Sequence, residues 1–194
     1  MAQFIINKFK ARWIVCGYNL KKRWDYIESF TQVVSADANR ILVATSVWFG
    51  THLVSNDFPC FYLESEMAED VYVEQPKGLV VVGREDDVCK LRAGVYGTPQ
   101  SGHHAQNTLV KSSTGPVEYK MHDSQPMMFH RNDGIRINHV TVGFHVDDSL
   151  GGTGSKEMFL KCIAALKREG LESTVNWRPE RHLGINIQSN LSPP

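Results

Sequence analysis

Apolar residues recur with helical spacing between Ala36 and Trp48, which predicts a helix over this segment. Ile41, Ala44 and Trp48 fall on one face at helical intervals. Ser35 stands directly before the segment, where its hydroxyl can accept a hydrogen bond from the first turn as an N-cap. We expect the face with Ile41 and Trp48 to pack in the core.

A second helix is predicted over Ser155 to Lys167, where the amphipathic pattern is stronger, and Gly170 is placed to end it. Its apolar face carries Met158, Phe159, Cys162, Ile163 and Leu166.

Alternating or continuous apolar runs predict strands between and beside the helices, which indicates an α/β or α+β fold. The predicted strands are Phe9 to Tyr18, Val54 to Leu63, Gly78 to Val82 and Ile135 to Phe144. The extended chain after the last of these strands is expected to stop at Ser149 to Gly152. The segment Gly151 to Lys156 is expected to be a flexible hairpin connection rather than a phosphate loop.

Two adjacent carboxylates, Asp147 and Asp148, follow the last predicted strand. Because neighbouring strand side chains point to opposite faces, both can enter one pocket only if the backbone turns between them. Two carboxylates about 4 Å apart repel by about 4 kcal/mol at an effective dielectric near 20, which favours a divalent cation or protonation. Magnesium-dependent phosphate chemistry is one interpretation, and a purely local acidic turn is the other.

Composition indicates one globular core, because 194 residues with 42% hydrophobic content can bury a single sizeable interior. The formal net charge is zero, from 21 basic and 21 acidic residues, which is unusual for a protein that grips nucleic acid. The basic residues that precede the first acidic residue, Asp25, form a segment that could bind nucleic-acid phosphates. The alternative is that this segment is only a solvated part of the surface. These basic residues are Lys8, Lys10, Arg12, Lys21, Lys22 and Arg23.

Neither a zinc ribbon nor a disulfide framework is predicted, because the four cysteines lie far apart without a C-x-x-C pair. The sequence shows no secretion signal and no apolar run of the roughly 20 residues that a membrane span needs. We therefore expect reduced thiols, no membrane partner and an intracellular location, either cytoplasmic or nuclear. His103, His104, His122 and His130 match no common metal-site spacing and are expected at the surface.

Seven short motifs follow one another along the chain, and their order is more specific than any one of them. They are Lys10-Ala11-Arg12 with Gly17-Tyr18; Asp25 to Phe30 with Val33-Val34; Asp57 with Tyr62 and Leu63; Val71 to Pro76; Val95-Tyr96-Gly97 with Gln100-Ser101; His145 to Asp148; and Leu183 to Ile187. Together they resemble the polymerase region of copia-type (Pseudoviridae) retrotransposon polyproteins over roughly residues 8 to 187.

The resemblance implies a right-hand polymerase palm built on an antiparallel sheet, with partial fingers and no thumb. On this basis residues 8–187 form an incomplete reverse transcriptase domain, and 188–194 a disordered tail. Residues 8–50 and 77–104 are then expected in the fingers, and 51–76 and 105–187 in the palm.

The resemblance also implies the site residues. Asp57, Asp147 and Asp148 are the expected catalytic residues and the ligands of two Mg²⁺ or Mn²⁺ ions. The expected nucleotide-binding residues are Tyr62, Gln100, Lys10 and Arg12. Phe61 stands where the family has a small Ala, so a ring is expected to crowd the nucleotide pocket, and Pro59 is expected inside the strand that carries Asp57.

The implied function is RNA-directed DNA synthesis, with an RNA or DNA template, a primer and a dNTP as partners, along with other parts of the polyprotein. One alternative is a non-catalytic retroelement remnant that binds nucleic acid or protein. A second is a different metal-dependent phosphotransferase or nuclease.

Overall fold

The computed structural model describes residues 11–134 and 139–188, which form a mixed α/β structure. It contains three α-helices, ten strands and two short 3₁₀ helices, Gly17–Asn19 and Phe61–Glu64. The α-helices are α1 (Ala36–Phe49), α2 (Ser101–Thr114) and α3 (Lys156–Arg168). The strands are β1 (His52–Asp57), β2 (Tyr72–Glu74), β3 (Val88–Lys90), β4 (Lys120–His122), β5 (Gln125–Asn132), β6 (His139–His145), β7 (Asp148–Thr153), β8 (Thr174–Asn176), β9 (Arg181–His182) and β10 (Ile185–Asn186).

Six of the strands form one antiparallel sheet in the order β4-β5-β6-β7-β1-β8. Strand β1 lies between β7 and β8, which come from much later in the chain. The remaining strands form two small hairpins, β2 with β3 and β9 with β10. The predicted antiparallel sheet is confirmed.

The main core lies between one face of the sheet and helices α2 and α3. Alternate residues of β6, Val140, Val142 and Phe144, point to this face and are fully buried. They pack with the buried faces of the two helices, which carry Ala105, Leu109, Met158, Phe159, Cys162 and Leu166. The predicted apolar face of α3 is confirmed, with Ile163 only partly buried.

Helix α1 covers the opposite face of the sheet, where Val34, Ala38 and Leu42 pack on Met128 and Leu150. The predicted helix is confirmed, and the Ser35 hydroxyl accepts the hydrogen bond from the Ala38 amide at 3.1 Å.

The expected orientation of α1 is wrong. Ile41 is 63% exposed and Trp48 is 85% exposed, whereas Leu42 is 4% exposed. The helix is apolar on more than one side, so spacing alone does not identify the face that meets the sheet.

Strand β7 runs through the segment that was expected to end a strand and form a connection. Ser149 to Gly152 lie inside it, and they pair with both β1 and β6. Gly152 permits close approach of α1, because a Cβ at this position would stand 2.3 Å from the Ser46 hydroxyl oxygen. Here glycine serves helix packing within a strand rather than a turn.

Two other strand predictions are wrong. Strand β1 ends at Asp57, so Pro59 lies in the turn that follows and removes no hydrogen bond from the sheet. The segment from Gly78 to Val82 forms no strand, and Val82 is 92% exposed.

The predicted strand Phe9 to Tyr18 is also wrong over its described part, residues 11–18, which contain no strand and enter a 3₁₀ helix at Gly17. Residues 9 and 10 lie outside the described residues. So do residues 135–138 of the predicted strand Ile135 to Phe144, and most of the predicted disordered tail.

All four cysteines are free, as predicted, and Cys162 is buried in the main core. Within residues 11–134 and 139–188, no helix is long and apolar enough to cross a membrane.

Candidate active site

Asp57 and Asp148 lie directly opposite each other where β1 ends and β7 begins. Opposed residues of an antiparallel pair project to the same face, with Cβ atoms about 5 Å apart. Asp57 is exposed and Asp148 is half-buried. The sheet therefore joins two carboxylates that are far apart in the sequence, as the motifs predict.

Asp147 occupies the two-residue turn between β6 and β7. His145 pairs with Asp148 across this hairpin, and Val146 takes the left-handed conformation, with φ at 59°. The Asp147 carbonyl accepts a hydrogen bond of 2.9 Å from the Phe58 amide, which ties the turn to the end of β1. The predicted tight hairpin is confirmed, and it brings Asp147 beside the opposed pair.

Asp57, Asp147 and Asp148 interact electrostatically. Burial raises the pKa of Asp148, and the negative charges of Asp147 and Asp57 raise it further. His182 and His145 act in the opposite direction on the pKa of Asp148. Burial lowers the pKa of His182 itself, so the His182 imidazole compensates this acidic group only in part.

The acidic oxygens have the chemistry of a site for a hard divalent cation. Carboxylate oxygen is the ligand type that Mg²⁺ prefers, and the repulsion that raises the pKa of Asp148 is what a cation would relieve. In the described part of the chain, however, no three His, Cys, Asp or Glu side chains are already arranged to hold a metal ion. The donor set fits the ion, although the side chains are not preformed around it.

Two tyrosines and an arginine stand beside the carboxylates. Tyr62 packs edge-to-face on Tyr96, with ring centroids 4.8 Å apart, and the Arg12 guanidinium lies over the Tyr96 ring at 5.2 Å. Burial raises the pKa of Tyr62, and the charge of Asp147 raises it further. Burial and Asp147 also raise the pKa of Tyr96, whereas Arg12 lowers it. Tyr62, Arg12 and the acidic group therefore belong to one site.

A close backbone contact holds Arg12 near Tyr96. The Val15 amide donates to the Tyr96 carbonyl at 2.8 Å, and a Cβ on Gly97 would stand 2.0 Å from the Val15 carbonyl oxygen. Gly97 also has φ at +94°. Two of the sequence motifs thus meet here, and glycine is required because the two chain segments touch.

Gln100 and Lys10 are the remaining predicted nucleotide-binding residues. Gln100 is fully buried, and its amide nitrogen donates to the Asp25 carbonyl at 3.4 Å, so its side chain meets the second motif rather than solvent. Lys10 lies outside the described residues. The expected crowding by Phe61 is wrong, because its ring is 1% exposed and packs in the core 6.3 Å from the ring of Phe58.

Comparison with known proteins identifies the family of the chain. The family model described as reverse transcriptase (RNA-dependent DNA polymerase) matches residues 2–190. The chain belongs to this reverse transcriptase family. The resemblance to copia-type elements is confirmed by curated relatives, which are retrovirus-related Pol polyproteins of transposons.

Two relatives show the extent of the match. The Pol polyprotein from transposon RE2 of Arabidopsis thaliana is 33% identical over 156 residues, which are 80% of this chain and 10% of the relative. The Pol polyprotein from transposon TNT 1-94 of Nicotiana tabacum is 28% identical over 146 residues, 74% of this chain and 11% of that relative. The matched part of the chain thus spans about a tenth of the length of these polyproteins.

Tyr96 and His182 are not among the site residues that the sequence motifs predict. Both stand in or beside quoted motifs, Tyr96 before Gly97 and His182 before Leu183. Their positions in or beside the motifs could have identified them as site residues. Their contacts with the acidic group, however, depend on how distant segments fold together.

Proposed function

We propose that this reverse transcriptase domain carries out template-directed nucleotidyl transfer from a dNTP to a primer 3′-hydroxyl. The observation that supports the proposal is the opposition of Asp57 and Asp148 across β1 and β7, with Asp147 in the adjoining turn. The template is RNA or DNA, and other parts of a retrotransposon polyprotein are further partners.

Asp57, Asp147 and Asp148 would hold two divalent cations, Mg²⁺ or Mn²⁺. When bound, such ions lower the pKa of the primer hydroxyl and stabilise the charge on the triphosphate and the leaving pyrophosphate. The contribution of the chain is placement, because strand pairing fixes Asp57 against Asp148 and the Phe58 amide fixes the Asp147 turn.

Tyr62 and Arg12 would contact the incoming nucleotide. The Tyr62 ring, held edge-on by Tyr96, would pack on the sugar and exclude a 2′-hydroxyl. Arg12, together with Lys10, would face the triphosphate as a positive group. Gln100 would act on the nucleotide pocket by holding the segment at Asp25.

In the same proposal, residues 51–76 and 105–187 form the palm, and residues 8–50 and 77–104 the fingers. The six-stranded sheet with α2 and α3 supports the palm assignment.

One observation favours the rival function, a non-catalytic module that only binds nucleic acid or protein. The described carboxylates are not already arranged as a metal-binding group. Such a module would bind its partner equally well after a catalytic carboxylate is neutralised.

Primer extension on an RNA template separates the two functions. The purified chain is assayed with Mg²⁺ or Mn²⁺ beside Asp147→Asn and Asp148→Asn, with Asp86→Asn in the exposed 85–87 loop as the matched control. We expect wild type and Asp86→Asn to extend the primer, and the other two variants to lose at least about a hundredfold in rate. A folded wild-type chain that binds primer and template without extending would support the rival.

A further inference from the structure

Three histidines on adjacent strands line one open cavity of about 560 Å³. His122 lies on β4, His130 on β5 and His139 on β6. Phe49, the last residue of α1, forms part of the same wall. Neither the polymerase motifs nor the candidate active site uses any of these four residues.

The cavity opens on the sheet face that also carries the carboxylates. His139 and His145 are both on β6 and are separated by an even number of residues, so they project to one face. His145 pairs with Asp148, which pairs with Asp57. At about 3.4 Å per residue the two ends of β6 are about 20 Å apart, and α1 packs on the sheet between them.

The charges around the cavity favour an anion. Lys120 pairs with His130 in register and therefore projects to the same face. Arg131 also lines the cavity, but Glu118 at 3.0 Å and Asp133 at 3.6 Å compensate its charge. No Asp or Glu is among the described residues that line the cavity.

Hydrogen bonding prepares His122 to donate. Its Nδ1 accepts from the Ser124 amide at 3.3 Å and lies 3.2 Å from the Ser124 hydroxyl. The accepted amide bond places the ring hydrogen of a neutral imidazole on Nε2. His122 can therefore donate to a phosphate oxygen without being charged.

Two exposed aromatic residues end helix α1: Phe49 lines this cavity, and Trp48 precedes it in the helix. Trp48 is 85% exposed and Phe49 is 58% exposed, on the side of α1 that the core does not cover. Exposed aromatic rings beside positively charged groups are the arrangement with which proteins bind single strands, because every base can stack and every phosphate can be neutralised.

We propose that this surface, made of His122, His130, His139, Trp48 and Phe49, binds single-stranded nucleic acid. The histidines contact the phosphates, and a base stacks on Trp48. This inference rests on the proposed function and deepens it, because it places a second contact with the nucleic acid away from the carboxylates.

Fluorescence anisotropy of a labelled single-stranded RNA of about 20 nucleotides tests the proposal. The full chain is compared with the variant His122→Gln/His130→Gln/His139→Gln under the same buffer and salt conditions. The matched control is His52→Gln, because His52 alternates on β1 to the opposite face from Leu53, which lines the α1 side of the sheet. Circular dichroism verifies that each variant is folded.

We expect the triple variant to bind about tenfold more weakly, because it loses the groups that contact the phosphates. His52→Gln should bind as wild type does. Trp48→Ala should weaken binding about tenfold, and Trp48→Phe should restore most of it, because a ring still stacks.

If wild type binds the RNA and none of these variants changes its affinity, the proposed binding surface is wrong. That result would not contradict the proposed function. A folded wild-type chain that binds neither single-stranded RNA nor a primer–template duplex would overturn both.

Discussion

Gly17 and Gly97 lie in direct backbone contact, since a Cβ added to Gly17 would stand 1.9 Å from the Gly97 carbonyl oxygen. This contact joins the segment that carries Arg12 to the segment that carries Tyr96.

Gly97→Ala is expected to lower the free energy of unfolding by about 3 kcal/mol, because it combines a backbone clash with a left-handed φ. Gly78→Ala is the control, since Gly78 also has a positive φ but no atom within 4 Å of its Cβ position. It should cost about 1 kcal/mol. Urea denaturation measures both, and equal losses would contradict the close contact.

The orientation of α1 predicts opposite results for two neighbouring residues. Leu42→Ala should cost about 2–5 kcal/mol, because it empties a packed position between the helix and Leu150. Ile41→Ala should change stability by less than about 0.5 kcal/mol, because that side chain is exposed. If Ile41→Ala proved the costlier change in denaturation experiments, α1 would present its other face to the sheet.

Asp148→Asn should stabilise the fold at neutral pH even though we expect it to abolish activity. Because folding raises the pKa of Asp148 above its ordinary 3.8, the folded chain keeps a proton that the unfolded chain releases at the same pH. The wild-type carboxylate therefore lowers the free energy of unfolding as the pH rises from 3.8 to the raised pKa of the folded chain. The full loss of stability is present above that raised pKa.

The gain from Asp148→Asn should be below about 1 kcal/mol, because solvent screens this half-exposed group. It should disappear as the pH falls below 3.8, where both states of the wild-type chain are protonated. Urea titrations at neutral and acidic pH give the comparison. A variant that is less stable than wild type at pH 7 would show that Asp148 is stabilised by its surroundings.

Tyr62→Val should let the domain accept ribonucleotides. Removing the ring leaves space beside the sugar, and we expect the ratio of ribonucleotide to deoxyribonucleotide incorporation to rise at least about tenfold. Tyr72→Val on the small β2–β3 hairpin is the matched control, because Tyr72 is 56% exposed. An unchanged ratio in primer extension would remove Tyr62 from sugar selection.

Thiol labelling should follow burial. Cys16 and Cys60 are exposed and should react with a thiol reagent within minutes, whereas Cys162 should react only when the chain unfolds. Burial raises the pKa of Cys162, which lowers its thiolate fraction further. Mass spectrometry of the labelled chain identifies each site, and rapid labelling of Cys162 would contradict the described core.

The acidic site was predictable because its order of motifs is specific and because Asp147 and Asp148 need a turn that the hairpin supplies. The two amphipathic helices, and Ser35 as the N-cap of the first, were predictable from local pattern. These features depend on neighbours in the sequence.

The incorrect predictions concern contacts between distant segments. Which side of α1 meets the sheet is decided by Gly143 and Leu150, residues that helix periodicity does not contain. Phe61 points into the core because a 3₁₀ helix, rather than a strand, follows β1. Gly151 and Gly152 mark a turn by composition, but they lie in β7, where Gly152 leaves room for Ser46 of α1.

The position of β1 in the sheet has a consequence for synthesis of the chain. Both of its partners, β7 and β8, are translated much later, so β1 leaves the ribosome with unpaired edges on both sides. The backbone of β1 stays exposed and unpaired while α2, β5 and β6 are being synthesised. The nascent chain is therefore prone to associate with other extended chains. Asp57, at the end of this strand, first meets Asp148 when β7 pairs with β1.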